Sequence, residues 1–264
     1  MSKFAITILF FLFLFALIGP LLSPYSYSDI QLELKNTPPG AQFWFGSDEL
    51  GRDLFTRIWW GARISLFIGV TAATIDMMIG VLWGSIAAYA GGRLEEAMMR
   101  ICDILHAIPY LLIVILLTVI RGTGILTILI AMTLTGWINM ARICRSQILQ
   151  LKQNDYVTAA RALGARAPRI LFRHLIPNAM GPIIAAMTLT IPTAIFTEAF
   201  LSFLGLGVQA PAASWGVMLN DGLSAMRYYP WRLFFPAAMI TLTMLSFNLL
   251  GNSLRDQLDP RLRE

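Results

Sequence analysis

Long apolar blocks separated by short polar stretches dominate the chain. Six blocks carry few charges and approach the length of a span: about 4–22, 64–90, 104–120, 123–144, 179–203 and 233–252. A membrane-crossing helix needs roughly 20 apolar residues, at about 1.5 Å of rise each, to traverse about 30 Å of hydrocarbon. The pattern therefore predicts six transmembrane helices. The second block is longer than a span needs, so it is expected to tilt or project. Only Arg121-Gly122 separates the third from the fourth, which predicts a tight helical hairpin. The first block runs 19 residues from Phe4 without a charge and ends in Gly19-Pro20-Leu21-Leu22-Ser23-Pro24. A signal peptide has an apolar region of about 7–15 residues and a small-x-small cleavage site, so a retained span is the better reading.

Composition agrees with that pattern and removes alternatives. The chain of 264 residues is 57% hydrophobic and 13% charged, against about 25% charged in an average soluble domain. A soluble fold of this length has too little polar material to cover its exterior, and disorder requires a lack of apolar residues rather than an excess. The net charge of +5 is spread between apolar blocks, which argues against a nucleic-acid partner. With the N-terminus inside, the inner segments hold Lys3, Arg93, Arg100, Arg142, Arg145, Lys152, Arg161, Arg166, Arg169, Arg173, Arg255, Arg261 and Arg263. The outer segments hold Lys35, Arg52, Arg57, Arg63, Arg121, Arg227 and Arg232. This inward bias of basic residues predicts cytoplasmic N- and C-termini. The expected fold is an all-α integral membrane protein: a first span and outer loop (1–63), then a core of five spans (64–264). Cys102 and Cys144 are expected to be reduced residues of the interior. His106 and His174 have no metal-ligand spacing around them.

Three segments carry candidate chemistry. In the inner segment 145–178, Asn154 or Asp155 can cap a short helix over 156–163, because a side-chain oxygen satisfies free N–H groups of the first turn. Gly164 supplies a left-handed residue to close it. Pro168 suits the first turn of a second helix over 169–176, and Pro177 is expected to stop that helix before the fifth span. Ala159, Ala160 and Ala162 give the first helix a thin wall. A basic amphipathic pair resting on anionic headgroups is one reading; a docking element for a soluble protein is the other. The alanines favour docking, since a lipid-facing helix gains more from Leu, Phe or Trp. On the outer side, the run from Asp48 through Gly51, Arg52 and Asp53 to Trp59-Trp60 reads as an interfacial anchor or as a receiving surface, and 206–232, with Trp215, carries the same pair of readings. Asp76 lies near the middle of the second block and Glu198 toward the outer end of the fifth. An unpaired charge in such a place costs roughly 3 kcal/mol or more. Each acid is therefore protonated or paired within the bundle, or lines a path and meets a cationic part of a substrate; a proton relay is a third option.

Several of these strings resemble a known family. Asp155-Tyr156-Val157-Thr158-Ala159-Ala160-Arg161-Ala162-Leu163-Gly164, followed by Ile176-Pro177-Asn178, is similar to the EAA loop of ABC importer permeases. Phe45-Gly46-Ser47-Asp48-Glu49-Leu50-Gly51-Arg52-Asp53 and Gly61-Ala62-Arg63-Ile64-Ser65-Leu66 resemble a signature of the dipeptide, oligopeptide and nickel permease group. So do Gly91-Gly92, Met99-Arg100-Ile101-Cys102-Asp103, Phe203-Leu204-Gly205-Leu206-Gly207-Val208, Ser214-Trp215-Gly216 and Leu258-Asp259-Pro260-Arg261. The strings follow in order from about residue 43 to 263 and resemble the C-type of the two permease subunits. One departure stands out: the family's loop usually begins with glutamate where this chain has Thr158.

The resemblance implies a type I permease fold in a bacterial or archaeal cytoplasmic membrane. It also implies a second, homologous permease subunit, two cytoplasmic ATPases and an external substrate-binding protein. Asp155, Tyr156, Ala159, Ala160, Arg161, Gly164 and Pro177 would couple to the ATPases; Asp76 and Glu198 are candidates for the path; Asp48, Gly51, Arg52, Asp53 and Trp215 are candidates for receiving the binding protein. The chain is expected to bind no cofactor and to be no enzyme itself, with magnesium–ATP held by the partner ATPases. The residues agree, because no GxxxxGK[ST] phosphate loop occurs. Peptides are the favoured cargo and nickel or a metal chelate the alternative. A secondary transporter should show a repeat or a linked set of intramembrane charges, neither of which is evident. A membrane enzyme should show a nucleophile–base pair or metal ligands, which the two histidines do not supply.

Overall fold

The computed structural model describes residues 2–209 and 211–258. The described residues form ten α-helices: α1 (Ser2–Leu22), α2 (Leu54–Ala90), α3 (Gly92–His106), α4 (Tyr110–Arg121), α5 (Ile125–Leu151), α6 (Asp155–Ala162), α7 (Ala167–Ile170), α8 (Ile176–Phe203), α9 (Trp215–Leu223) and α10 (Trp231–Leu258). Five helical stretches are long and apolar enough to cross a membrane, or six if the bent pair α3–α4 counts as one. The expected features on 259–263 fall outside the described residues.

The central mast is α2. Its 37 residues give a length of roughly 55 Å at 1.5 Å per residue. It begins ten residues before the expected 64, because Asp53 caps it: the carboxylate accepts from the backbone N–H of Phe55 at 3.3 Å and of Thr56 at 3.0 Å. Such a cap stabilises a helix by about 1 kcal/mol. Trp59 and Trp60 thus lie on the helix. Trp59 is buried, while Trp60 stacks on Tyr27 at 4.3 Å and lies under the Arg63 guanidinium at 4.9 Å. Further along, Gly80 and Gly84 let α5 approach closely; a Cβ on Gly84 would lie 3.0 Å from the Ala141 carbonyl carbon. Small residues at such crossings replace the hydrophobic drive that lipid cannot supply.

Around the mast, α1 buries Ala5, Leu9, Leu12 and Ala16 against α2 and α10 while Phe4, Phe10, Leu17 and Leu21 face outward. Pro20 has no N–H and leaves the Ala16 carbonyl free within the helix. Arg63 answers it: Nε donates to Ala16 O and Nη2 to Leu17 O, both at 2.6 Å. One basic residue thereby ties the first span to the mast.

Two expectations are corrected. The third block is no straight span: α3 and α4 are bent by 74° across residues 107–109. Pro109 removes an N–H and disfavours the helical conformation of Ile108, and α4, with 12 residues, reaches only about 18 Å. Pro177 does not stop a helix either. The helix runs from Ala167 through a π-turn at Leu171–Leu175 into α8, with Pro177 in the first turn of α8, where a missing N–H is tolerated. Both cysteines are free and buried, as expected.

Candidate functional site

The segment after α5 folds as helix, glycine turn, helix. Asn154 takes the N-cap position by backbone geometry, but its side chain makes no capping bond. The other end is closed as expected. Gly164 has φ +78°, its N–H donates to Arg161 O at 2.9 Å, and Ala165 N–H donates to Ala160 O at 3.0 Å. These two bonds form a Schellman motif, which needs the left-handed residue that glycine adopts without strain.

What holds α6 to the bundle is Val157, fully buried with Ile170, Leu171, Leu175, Ile148 and Val81. Burying such a side chain contributes about 2 kcal/mol. Ala160 packs partly against the same cluster, whereas Asp155, Tyr156, Thr158, Ala159, Arg161 and Leu163 are exposed. Leu163 is 87% exposed, an unpartnered leucine at the tip of the loop. Two contacts not foreseen from sequence link this loop to the mast. Lys152 Nζ donates to the Ala88 and Tyr89 carbonyls at 3.1 and 2.9 Å, capping the end of α2. Arg161 lies 5.9 Å from the Tyr89 ring centroid. The signal was the Tyr89–Gly91 helix end, where unpaired carbonyls attract a cation.

The bend between α3 and α4 opens a cavity of about 430 Å³. Asp76 is on its wall, only 4% exposed, and its Oδ1 has no hydrogen-bond partner. Gly136 on α5 makes room for this carboxylate: a Cβ there would overlap both its oxygens and lie 2.8 Å from its carbon. His106, Tyr110, Asn139, Thr190, Thr193 and Thr197 also line the space. Sequence reasoning reached Asp76 alone. The threonines carry the missed signal, since 190, 193 and 197 recur at helical spacing within an apolar block.

Glu198 proves to be different. It is fully buried, accepts from Ser65 Oγ at 2.9 Å and Ser202 Oγ at 2.8 Å, and is absent from the cavity wall. Ser65 Oγ also accepts from Trp215 N–H at 3.3 Å, and Ser202 Oγ from Val208 N–H at 3.3 Å. Glu198 is the centre of a knot joining α2, α8, the turn after it and the start of α9. Its carboxylate is hydrogen-bonded within the bundle.

At the expected outer end, the candidate receiving residues are mostly interior. Asp48 accepts from Arg52 Nε at 2.6 Å and lies 3.5 Å from Arg57 Nη1. Arg57 also pairs with Asp221 at 3.6 Å, while Arg232 reaches Glu49 at 3.1 Å, Asn36 at 3.1 Å and Asp221 O at 2.9 Å. Burial pushes the Asp221 carboxyl up from its ordinary range, and Arg57 pulls it back. Gly51 occupies a tight turn with φ +72°, against the Gln31 carbonyl. Asp48, Arg52, Asp53 and Trp215 are all under 10% exposed, so they shape loop 23–53 and α9 rather than present themselves. Partners that lie far apart in sequence hid this lattice.

Comparison with known proteins places this arrangement. The family described as binding-protein-dependent transport system inner membrane component matches residues 80–264, and the N-terminal TM domain of oligopeptide transport permease C matches residues 1–39. The chain is similar to the oligopeptide transport system permease protein OppC of Bacillus subtilis (strain 168), 58% identical over all of this chain and 87% of that one. It is 59% identical to the dipeptide transport system permease protein DppC of the same organism, over 97% of this chain and 80% of that one. Against OppC of Escherichia coli (strain K12) the identity is 40%, over 98% and 86%. Among solved structures, inward-facing forms of the MetNI methionine ABC transporter superpose with TM-scores of 0.63 and 0.64 at 17% and 18% identity. They cover 75% and 77% of this chain and 94% and 96% of theirs. That likeness shows the fold alone, an all-α multi-span membrane architecture. With 70% or so of its length inside one family and curated relatives aligned nearly end to end, the chain belongs to the binding-protein-dependent transport system inner membrane components.

Proposed function

We propose that this chain is the C-type permease subunit of an ATP-driven importer of di- or oligopeptides. The observation that carries the coupling part is α6: a short helix anchored by one buried valine, closed by a glycine turn, with an exposed face of Thr158, Ala159 and Ala162. The cargo follows from the relatives, whose names specify oligopeptides and dipeptides at 58% and 59% identity. The core from residue 64 onward would form half of the path, with the other half from a second permease subunit. ATP hydrolysis belongs to two separate cytoplasmic ATPases, and an external binding protein delivers the substrate. Six spans, counting α3–α4 as one, put both termini in the cytoplasm and loop 23–53 and α9 outside.

In this mechanism the 155–177 segment is a lever. Closure of the ATPase dimer pushes α6, and the continuous helix from Ala167 to Phe203 carries the displacement across the membrane; the Lys152 and Arg161 contacts pass it to α2. Packed helices have discrete arrangements, so such a push switches access from one side to the other. Asp76 and its cavity lie between α2, α5 and α8, the helices that would move. On the outside, the buried ionic lattice would fix the loop that meets the binding protein.

The test is uncoupling. Ala159→Trp or Gly164→Pro should leave the assembled transporter in the membrane and hydrolysing ATP while uptake is lost. Normal coupling in those variants sinks the docking role of α6. Uptake of labelled peptide and of nickel, in cells lacking the chain, decides the cargo.

A further inference from the structure

We propose that the Asp76 cavity is a waypoint for the free amino terminus of the peptide in transit, with the Asp76 carboxylate receiving its ammonium. This rests on the peptide-permease reading and deepens it. The first support is Asp76 itself. Its carboxylate is almost wholly buried, yet Oδ1 is unpartnered. A buried acceptor left without a donor is costly unless something fills the gap. Glu198, in the same kind of apolar surrounding, has its hydroxyl donors in place; Asp76 has none. Gly136 gives the carboxylate the room it occupies at the cavity wall.

The second support is the chemistry of the wall. Thr190, Thr193 and Thr197 each donate their hydroxyl to a carbonyl of their own helix, at 3.1, 3.4 and 2.8 Å. Their hydrogens are therefore engaged, and what they turn to the cavity is oxygen lone pairs. One carboxylate with a row of acceptors suits a group that is all donor, while His106, Tyr110 and Asn139 on the same wall can donate to other parts of a peptide. An ammonium is such a group, with three N–H donors and no acceptor. The volume of about 430 Å³ lies within the roughly 300–1,000 Å³ range of small-molecule pockets. An unblocked peptide carries this ammonium whatever its side chains, so the contact would serve a broad cargo without reading sequence.

The experiment uses the assembled transporter in membranes, with Thr193→Cys as reporter in a Cys102→Ala, Cys144→Ala background. A cationic trimethylammonium thiosulfonate should label the new thiol roughly tenfold faster than the anionic sulfonate reagent of similar size, as expected for one carboxylate a few ångströms away. Asp76→Asn should bring the ratio near one. A free-amino tripeptide should slow labelling, and its N-acetylated form at the same concentration should not. Equal rates for the two reagents, or equal protection by both peptides, overturn the inference. Normal peptide uptake by the wild-type chain together with either of those results overturns it alone; absence of peptide uptake by the wild-type chain overturns the peptide reading as well.

Discussion

Glu198 and Asp76 look alike in the sequence, single acids inside apolar helices, yet they occupy opposite environments. Around Glu198, two serines donate and a neighbouring backbone N–H and turn are recruited through them. Around Asp76 the carboxylate faces a cavity with one oxygen unpartnered and a glycine opposite. The contrast teaches that burial alone does not mark a functional acid inside a membrane bundle. The hydrogen-bond balance does: a satisfied acid holds helices together, and an unsatisfied one waits for a ligand.

The strongest way to break that contrast is at Glu198. Glu198→Leu strands two buried hydroxyls and removes the centre of a four-element knot. Each stranded group costs about 1–3 kcal/mol, so the chain should be largely lost from the membrane, as read by immunoblot. Normal accumulation would mean that the knot is dispensable. Asp76→Asn should do the reverse, leaving the amount of protein unchanged while peptide uptake falls about tenfold, equivalent to about 1.4 kcal/mol. A variant that misfolds instead would make Asp76 structural too. Smaller effects are expected at the clamp between α6 and the mast. Lys152→Gln removes a charge from a helix C-terminus, an interaction of about 0.3–1 kcal/mol, and should lower the uptake obtained per ATP hydrolysed by roughly two- to fivefold. An unchanged ratio removes Lys152 from the lever. Least of all, Thr158→Glu should be tolerated, because Thr158 is exposed and Val157, not residue 158, anchors the helix.

Much of the fold was legible because spans are written in long apolar runs. The helix–glycine–helix of the coupling segment was legible too, since Gly164 and Pro168 act locally. What escaped had non-local or compensated causes. The α2 start at Leu54 depends on Asp53 capping a helix whose first turns carry the outer ionic lattice, so charges that read as loop are helical. The break before α4 follows from Pro109, a local signal outweighed by the apolar run around it. Pro177 reads as a stop, but the helix continues past it with a π-turn just upstream. At the cavity, Asp76 was visible as an odd charge. His106, Asn139 and the threonines became its neighbours only once three helices were placed side by side.

The claim on which the rest depends is that this chain passes peptides in response to ATP through the shape of α6. The most direct measurement is uptake of a labelled tripeptide in cells lacking the chain and supplied with variants of it. The account predicts that wild type and Thr158→Glu restore uptake, and that Gly164→Pro, present at equal level in the membrane, does not. Full uptake with Gly164→Pro, or no dependence of peptide uptake on the chain at all, would contradict it.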